Sequence, residues 1–308
     1  MKLGVVACLH GNLKKTKKAA KVFKKADVDA IVLAGDIPAD TKQSKSLIKI
    51  LKIFSKTKKK VYILPGSHEH YKEYYSALKK FKKNKFVIDC TKTNSTIINS
   101  QKIVFLPGAD ATAPGAGFRA IKDRKSLKLF KRHVKQHKEH FWGKITAYYI
   151  SDLNKLLDKQ SILIAHFPPE FKTKSAIDLA TFGTPKKPFI LLERHRELNK
   201  TTVGLVKMTP EHVVFTIDEA KRLIKAGYPV KIKGENVGNP YLKKLIKKRK
   251  VRFFICSHIH ESGGRANNLK GKPVKQGKWS KELFYNCSGR AGIVEFKNNL
   301  AMYRSVRV

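Results

Sequence analysis

Acid is what this chain has least of. Only 23 of its 308 residues are Asp or Glu, against 66 Lys or Arg, which leaves a formal net charge of +43 and a pI near 10.2. A field of that sign and size repels basic partners and draws polyanions, nucleic acid above all. Long apolar runs are missing as well. No stretch approaches the ~18–20 residues a membrane span needs, and the first residues enter a strand pattern directly. A soluble, cytoplasmic, non-exported protein with no membrane partner is therefore expected. Cysteine is sparse: Cys8, Cys90, Cys256 and Cys287 are scattered with no Cys-x-x-Cys pair, which argues against a disulfide framework and against a zinc ribbon. Internal repeats and low-complexity linkers are absent, so a single domain over 1–308 is expected.

What the chain does have is lysine, far more than arginine. Lysine is a mobile point charge suited to phosphate backbones, whereas arginine is the usual reader of base edges. The charge points to salt-sensitive, sequence-independent attraction to RNA or a ribonucleoprotein. A general lysine bias that merely decorates solvated faces is the alternative. Two segments are the densest: 119–138, with Arg119, Lys122, Arg124, Lys131, Arg132 and Lys135, and 242–252, with Lys243, Lys244, Lys247, Lys248 and Arg249.

Apolar, β-branched runs alternate with amphipathic patterns. LGVVAC (3–8), AIVLA (30–34), VYILP (61–65), KIVFLP (102–107), SILIAH (161–166) and VRFFIC (251–256) read as buried strands. Residues 13–25, 45–55 and 70–82 read as helices between them, which implies parallel pairing with helices on the sheet faces. LFYNCS, GIVEF and AMYRSV read as a closing antiparallel run. Thr216 and Glu219 form a capping box, and Asn239-Pro240 opens a further helix. Segment 115–145 is basic and helical in pattern, while 171–200 and 262–281 read as surface loops.

The chemistry gathers where strands end. Strand one is followed by Cys8-Leu9-His10, strand two by Gly35-Asp36, and strand three by Gly66-Ser67-His68-Glu69; the 161–166 run closes on His166, and the 251–256 run is followed by Ser257-His258-Ile259-His260. In an open α/β sheet the C-terminal strand ends share one edge, where ligands bind. Imidazoles and a carboxylate converging there are the makings of a transition-metal site, with room for two ions.

In that order, these motifs resemble the signature D-x-H, G-D, G-N-H-[DE], H, G-H-x-H of the calcineurin-like metallophosphoesterases. The resemblance runs from residue 3 to about 296 and is nearest to archaeal-type members. It implies an α/β fold of two stacked mixed β-sheets flanked by helices, and metal-dependent hydrolysis of a phosphate ester. Carried across by position, it implies one ion held by Cys8, His10, Asp36 and His260. It implies a second held by Asp36, Ser67, His166 and His258, with Asp36 bridging. His68 becomes the phosphate contact or general acid, with Glu69 available to orient it.

Three positions depart from the pattern. Cys8 stands for the first aspartate, Ser67 for the asparagine and Ser257 for the last motif's glycine. As a thiolate, Cys8 would favour Zn²⁺ over Mn²⁺ or Fe²⁺; otherwise it is a buried strand residue. Ser67 weakens the second ion's hold, and Ser257 is expected only to tighten a turn. Two functions follow: a phosphoesterase with one or two ions and altered metal preference, or an inactive scaffold that binds RNA through its charge. Asp110 lies at the same edge as a turn cap or site residue. His133, His137 and His140, at i, i+4 and i+7 of the basic segment, are spaced to ligate a metal but are expected to face solvent or phosphate, because no carboxylate beyond Glu139 accompanies them.

Overall fold

The computed structural model describes residues 1–111, 117–136, 145–187, 189–197, 200–208 and 214–308, with side chains outside 133–136, 189–197 and 200–208. In chain order the strands are β1 (Lys2–Val6), β2 (Ala30–Ala34), β3 (Lys60–Leu64), β4 (Val87–Asp89), β5 (Ser95–Ile98), β6 (Gln101–Leu106), β7 (Ala109–Asp110), β8 (Phe118–Ile121), β9 (Thr146–Tyr149) and β10 (Ile162–Ala165). They continue as β11 (Leu179–Pro185), β12 (Phe189–Glu197), β13 (Lys200–Met208), β14 (Val230–Asn236), β15 (Phe253–Cys256), β16 (Ala266–Asn267), β17 (Leu283–Asn286), β18 (Arg290–Lys297) and β19 (Leu300–Arg307). The helices are α1 (Leu13–Lys25), α2 (Gln43–Ser55), α3 (Tyr71–Lys79), α4 (Arg124–Gln136), α5 (Ile217–Lys225) and α6 (Pro240–Lys248).

Residues 1–178 and 236–308 form one compact unit, and 179–235 form another. The first unit is a sandwich of two six-stranded mixed sheets, in the orders β19-β18-β1-β2-β3-β4 and β16-β17-β15-β10-β6-β5. β1 to β4 run parallel, as do β6, β10, β15 and β17. LFYN does not pair with GIVEF or AMYRSV: it runs parallel to β15 on one side and antiparallel to the short β16 on the other, while β18 and β19 pair antiparallel with each other. Strands buried on both faces have no polar side to show, which is why their sequences are continuous apolar runs.

Alternate residues face opposite layers. Leu3, Val5, Val32, Leu64, Phe105, Ile164, Ile255 and Tyr285 fill the space between the sheets. Ile31, Leu33 and Ile63 face outward onto Phe23 of α1, Leu51 and Phe54 of α2 and Ala77 of α3. On the other sheet, Leu163, Phe254 and Phe284 meet Leu242 and Ile246 of α6. A fully buried Phe54 is worth about 1.5–3 kcal/mol of transfer free energy. Asn12 ends the turn after β1 by capping α1, its side chain accepting from Lys15 N at 3.0 Å. Asn239 and Pro240 start α6 in the same way.

The second unit pairs β11 with β14 and β12 with β13, beside α5 with its Thr216–Glu219 capping box. Segment 171–200 is therefore not a loop, since β11 and β12 occupy much of it; its polar, Pro-rich sequence hid their pairing. Segment 262–281 carries only the short β16. Within 115–145, β8 precedes a helix limited to α4, and 137–144 lie outside the described residues.

Candidate metal centre

The parallel strands deliver their C-terminal ends to one rim. After β1 and β2 the chain is zipped backbone to backbone, with Cys8 N donating to Gly35 O at 3.0 Å and His10 N to Asp36 O at 3.1 Å. Cys8, His10, Asp36 and His258 all sit at positive φ, between 44° and 75°. Non-glycine residues in this region cost about 1–3 kcal/mol each, and such strain gathers where side chains must be aimed. Glycine clears the space: a Cβ on Gly66 would meet Asp36 Oδ1 at 2.5 Å and the His166 ring at 2.7 Å.

Asp36 is 2% exposed and densely bonded. Its Oδ1 accepts from Ser67 N at 2.7 Å and His68 N at 3.0 Å, and the Ser67 hydroxyl donates to Oδ2 at 2.9 Å. Burial is the largest influence and raises its pKa, but a protonated His166 ring, with His68 and His258 adding to it, together hold the carboxyl well below its usual range.

His166 faces the same carboxylate in an instructive way. Its Nδ1 lies 2.8 Å from Ala34 O and 2.8 Å from Ser257 Oγ. A carbonyl only accepts, so Nδ1 carries the proton, and in the neutral ring Nε2 presents a lone pair. That Nε2 is 3.0 Å from Asp36 Oδ2, with no hydrogen bond of acceptable geometry. A lone pair and a carboxylate oxygen at that distance repel, so they are held together either by a second proton on the ring, which burial opposes and the Asp36 charge favours by raising the His166 pKa, or by a cation in that proton's place. The donor chemistry fits a metal ion.

Three groups of potential ligand atoms lie within 4.8 Å of one another: Cys8–His10–His260, Cys8–Asp36–His166 and His10–Asp36–His68. Zinc bonds of about 2.0–2.3 Å put tetrahedral ligands roughly 3.3–3.8 Å apart, inside that span. Cys8 belongs to two of the groups. Burial, then the Asp36 carboxylate, pushes its thiol pKa well up, and Sγ donates to Ser288 Oγ at 3.7 Å. Burial lowers His10 and His260, and burial followed by the neighbouring His166 brings His258 down to about 3. Neutral imidazoles are the form that ligates.

Against the calcineurin-like phosphoesterase family the chain matches over residues 1–262. This chain belongs to that family. Two solved structures share the fold of this phosphoesterase. One is TT1561 of Thermus thermophilus, at 12% identity and TM-score 0.53, with 99% of each chain covered. The other is a dimetal phosphatase from Danio rerio, at 11% identity and TM-score 0.52, covering 99% of this chain and 95% of that one. No curated protein matches.

Several residues of this phosphoesterase sit differently from what its motifs imply. Ser67 Oγ is a donor to Asp36, not a free hydroxyl facing an ion, because Asp36 is the strongest acceptor within its reach. His258 packs its ring 5.1 Å from His166 and belongs to none of the three groups. Glu69 does not orient His68. It is buried, accepts from Ile37 N at 2.9 Å and Gly66 N at 2.8 Å, and is raised to about 6 by burial and then by Asp36. The residue on His68 Nδ1 is instead Asp40, at 2.9 Å; the G-D-I-P-A-D stretch held that signal. Ser257 does more than tighten a turn, since its hydroxyl lies against both Ala34 O and His166 Nδ1. Asp110 accepts from Asn239 Nδ2 at 2.6 Å.

The expected nucleic-acid residues divide. Arg119 is a correction: β8 is covered on both sides, so its guanidinium is fully buried, and burial lowers it to about 10 against the raising charges of Asp110 and Asp36. Arg124 is held by both Asp152 oxygens and stacks on Tyr149. Lys243 lies 3.4 Å over Phe171, and Arg249 donates to Leu157 O. Lys122 covers Tyr241. Lys131, Arg132, Lys244, Lys247 and Lys248 are exposed; the Lys135, His133, His137 and His140 side chains lie outside the described residues. Among the described residues no helix is long and apolar enough to cross a membrane.

Proposed function

We propose that this chain is a metal-dependent phosphoesterase whose ion, zinc in preference to manganese or iron, is held through Cys8. The observation that carries this reading is the clustering of Cys8, His10, Asp36, His166 and His260 ligand atoms at one rim, with His166 Nε2 facing Asp36 Oδ2 across 3.0 Å. Cys8, His10 and His260 would hold one ion. Asp36 and His166 would hold a second, with Cys8 in reach of both sets. When bound, such ions lower the pKa of a water and neutralise phosphate oxygens in an in-line displacement.

The chain's own residues supply the rest. Asp36 organises the rim by fixing the Ser67–His68 backbone. His68 is 43% exposed at the mouth, and its Nδ1–H donates to the Asp40 carboxylate, which turns Nε2 to the opening, where in the imidazolium form it holds the proton that moves. Delivering that proton to the leaving oxygen is general acid catalysis. Ala34 O and Ser257 fix the His166 tautomer. The test is hydrolysis of bis-p-nitrophenyl phosphate and of short RNA with Zn²⁺, Mn²⁺ and Fe²⁺. Turnover that survives His68→Ala with every metal would sink the assignment.

A second reading, an inactive scaffold that binds RNA or a ribonucleoprotein by charge, draws on Asp36 itself. A carboxylate has about four lone-pair sites, and Ser67 N, Ser67 Oγ and His68 N already occupy three. That leaves little with which to bridge two ions. Protein that purifies without metal and is not rescued by added metal favours this reading.

A further inference from the structure

The sandwich has a second rim. At the N-terminal ends of β10, β15 and β17, opposite the metal centre, lies a concavity of about 740 Å³. The run from Arg252 to His258 along the β15 segment puts the two rims roughly 15–20 Å apart. The concavity is lined by Lys159, Lys247, Lys250, Arg252 and Lys270, with Glu282 as its one carboxylate. We propose that it binds the phosphodiester backbone of a single-stranded nucleic acid. The inference shares the expectation of a polyanionic partner but does not rest on hydrolysis at the metal centre.

Three separate chain segments bring those cations together, and none of the five is in an ion pair among the described residues. Glu282 offsets only one of the five charges, and its Oε2 accepts from Leu269 N at 3.0 Å. That bond fixes the loop carrying Lys270, and Lys243 Nζ fixes it again by donating to Leu269 O at 2.8 Å. Arg252 is held in place as well, over the Phe253 ring and donating to Lys159 O at 3.3 Å. The cations therefore stand on a braced wall.

One effect opposes an anion here, since the C-terminus of α6 points its partial negative charge, about half an electron, at the cavity. An excess of four formal positive charges on the lining outweighs it. A concave wall of one sign focuses the field and raises the local concentration of counter-ions. The lining also says which part of the polymer is held. No aromatic residue lines the cavity, so bases have nothing to stack on, and four of its five cations are lysines. Backbone phosphates are the match, without sequence preference.

The test compares Lys247→Gln/Lys250→Gln with Lys17→Gln/Lys21→Gln, an equal charge loss on exposed residues of α1. Binding of a short oligouridylate to the full chain is followed by fluorescence anisotropy across a salt series without added divalent metal, after matched thermal melts show both pairs folded. The cavity pair should weaken binding about tenfold or more at low salt. It should also flatten the slope of log K against log salt by roughly 1.4, about 0.7 per lost phosphate contact. The α1 pair should change affinity less than about twofold. A DNA oligonucleotide should follow the RNA, and inorganic polyphosphate should displace it. Equal losses from the two pairs would overturn the site in favour of diffuse attraction. Loss of polyphosphate binding alone, with oligonucleotide binding unchanged, would overturn the nucleic-acid assignment.

Discussion

His166 Nε2 and Asp36 Oδ2 stand 3.0 Å apart with no hydrogen bond of acceptable geometry between them. The two residues come from different sheets, and each is fixed from behind. Asp36 is held by the Ser67 and His68 amides, and His166 by Ala34 O and Ser257. Groups so braced repel as neutral imidazole and carboxylate, and a second proton on the ring, which Asp36 favours, or a cation in its place holds them together.

His68 is the proton donor in this account. His68→Ala is expected to lower kcat on bis-p-nitrophenyl phosphate about 10²–10⁴-fold, with metal content unchanged. Asp40→Asn removes only the charge that orients the ring, so a fall of about 10–100-fold is expected. Steady-state kinetics beside metal analysis separates these outcomes from loss of the ion.

In the proposed centre Cys8 sets the metal. Cys8→Asp replaces a soft thiolate with a hard oxygen donor, so the ion giving the highest activity should move from Zn²⁺ towards Mn²⁺. Cys8→Ala should release metal on dialysis. If both variants retain zinc as the wild type does, Cys8 is a packing residue.

The rim tolerates no added atom at Gly66. Gly66→Ala puts a Cβ 2.5 Å from Asp36 Oδ1, and the forced shift should cost about 1–3 kcal/mol. Chemical denaturation monitored by circular dichroism reads this directly; an unchanged midpoint would mean that the close approach is not there.

The layers and the converging rim were legible because both are written in local pattern. Continuous apolar runs bounded by turn residues read as strands covered on both faces, and five of the six end in, or run within a few residues into, a His, Cys or Asp of the site. What stayed hidden depends on which side chain meets which. Glu69 follows His68, yet its carboxylate turns to the Ile37 and Gly66 amides, while Asp40 reaches His68 from another loop. Arg119 reads as one more cation in a basic stretch and is buried because β8 lies between β7 and β9. The strands of the second unit escaped notice because FILLERHRE turns from apolar to charged half-way and LATFGTP mixes apolar residues with Gly and Pro, so neither keeps a period of two. Fixed charge repeated over most of the surface also gives no hint of where cations converge.

Zinc content of the purified, untagged protein bears most directly on the centre. The account predicts bound zinc that survives dialysis and is lost in both Cys8→Ala and His166→Ala. Protein that carries no metal, and takes up none when Zn²⁺, Mn²⁺ or Fe²⁺ is supplied, would contradict it.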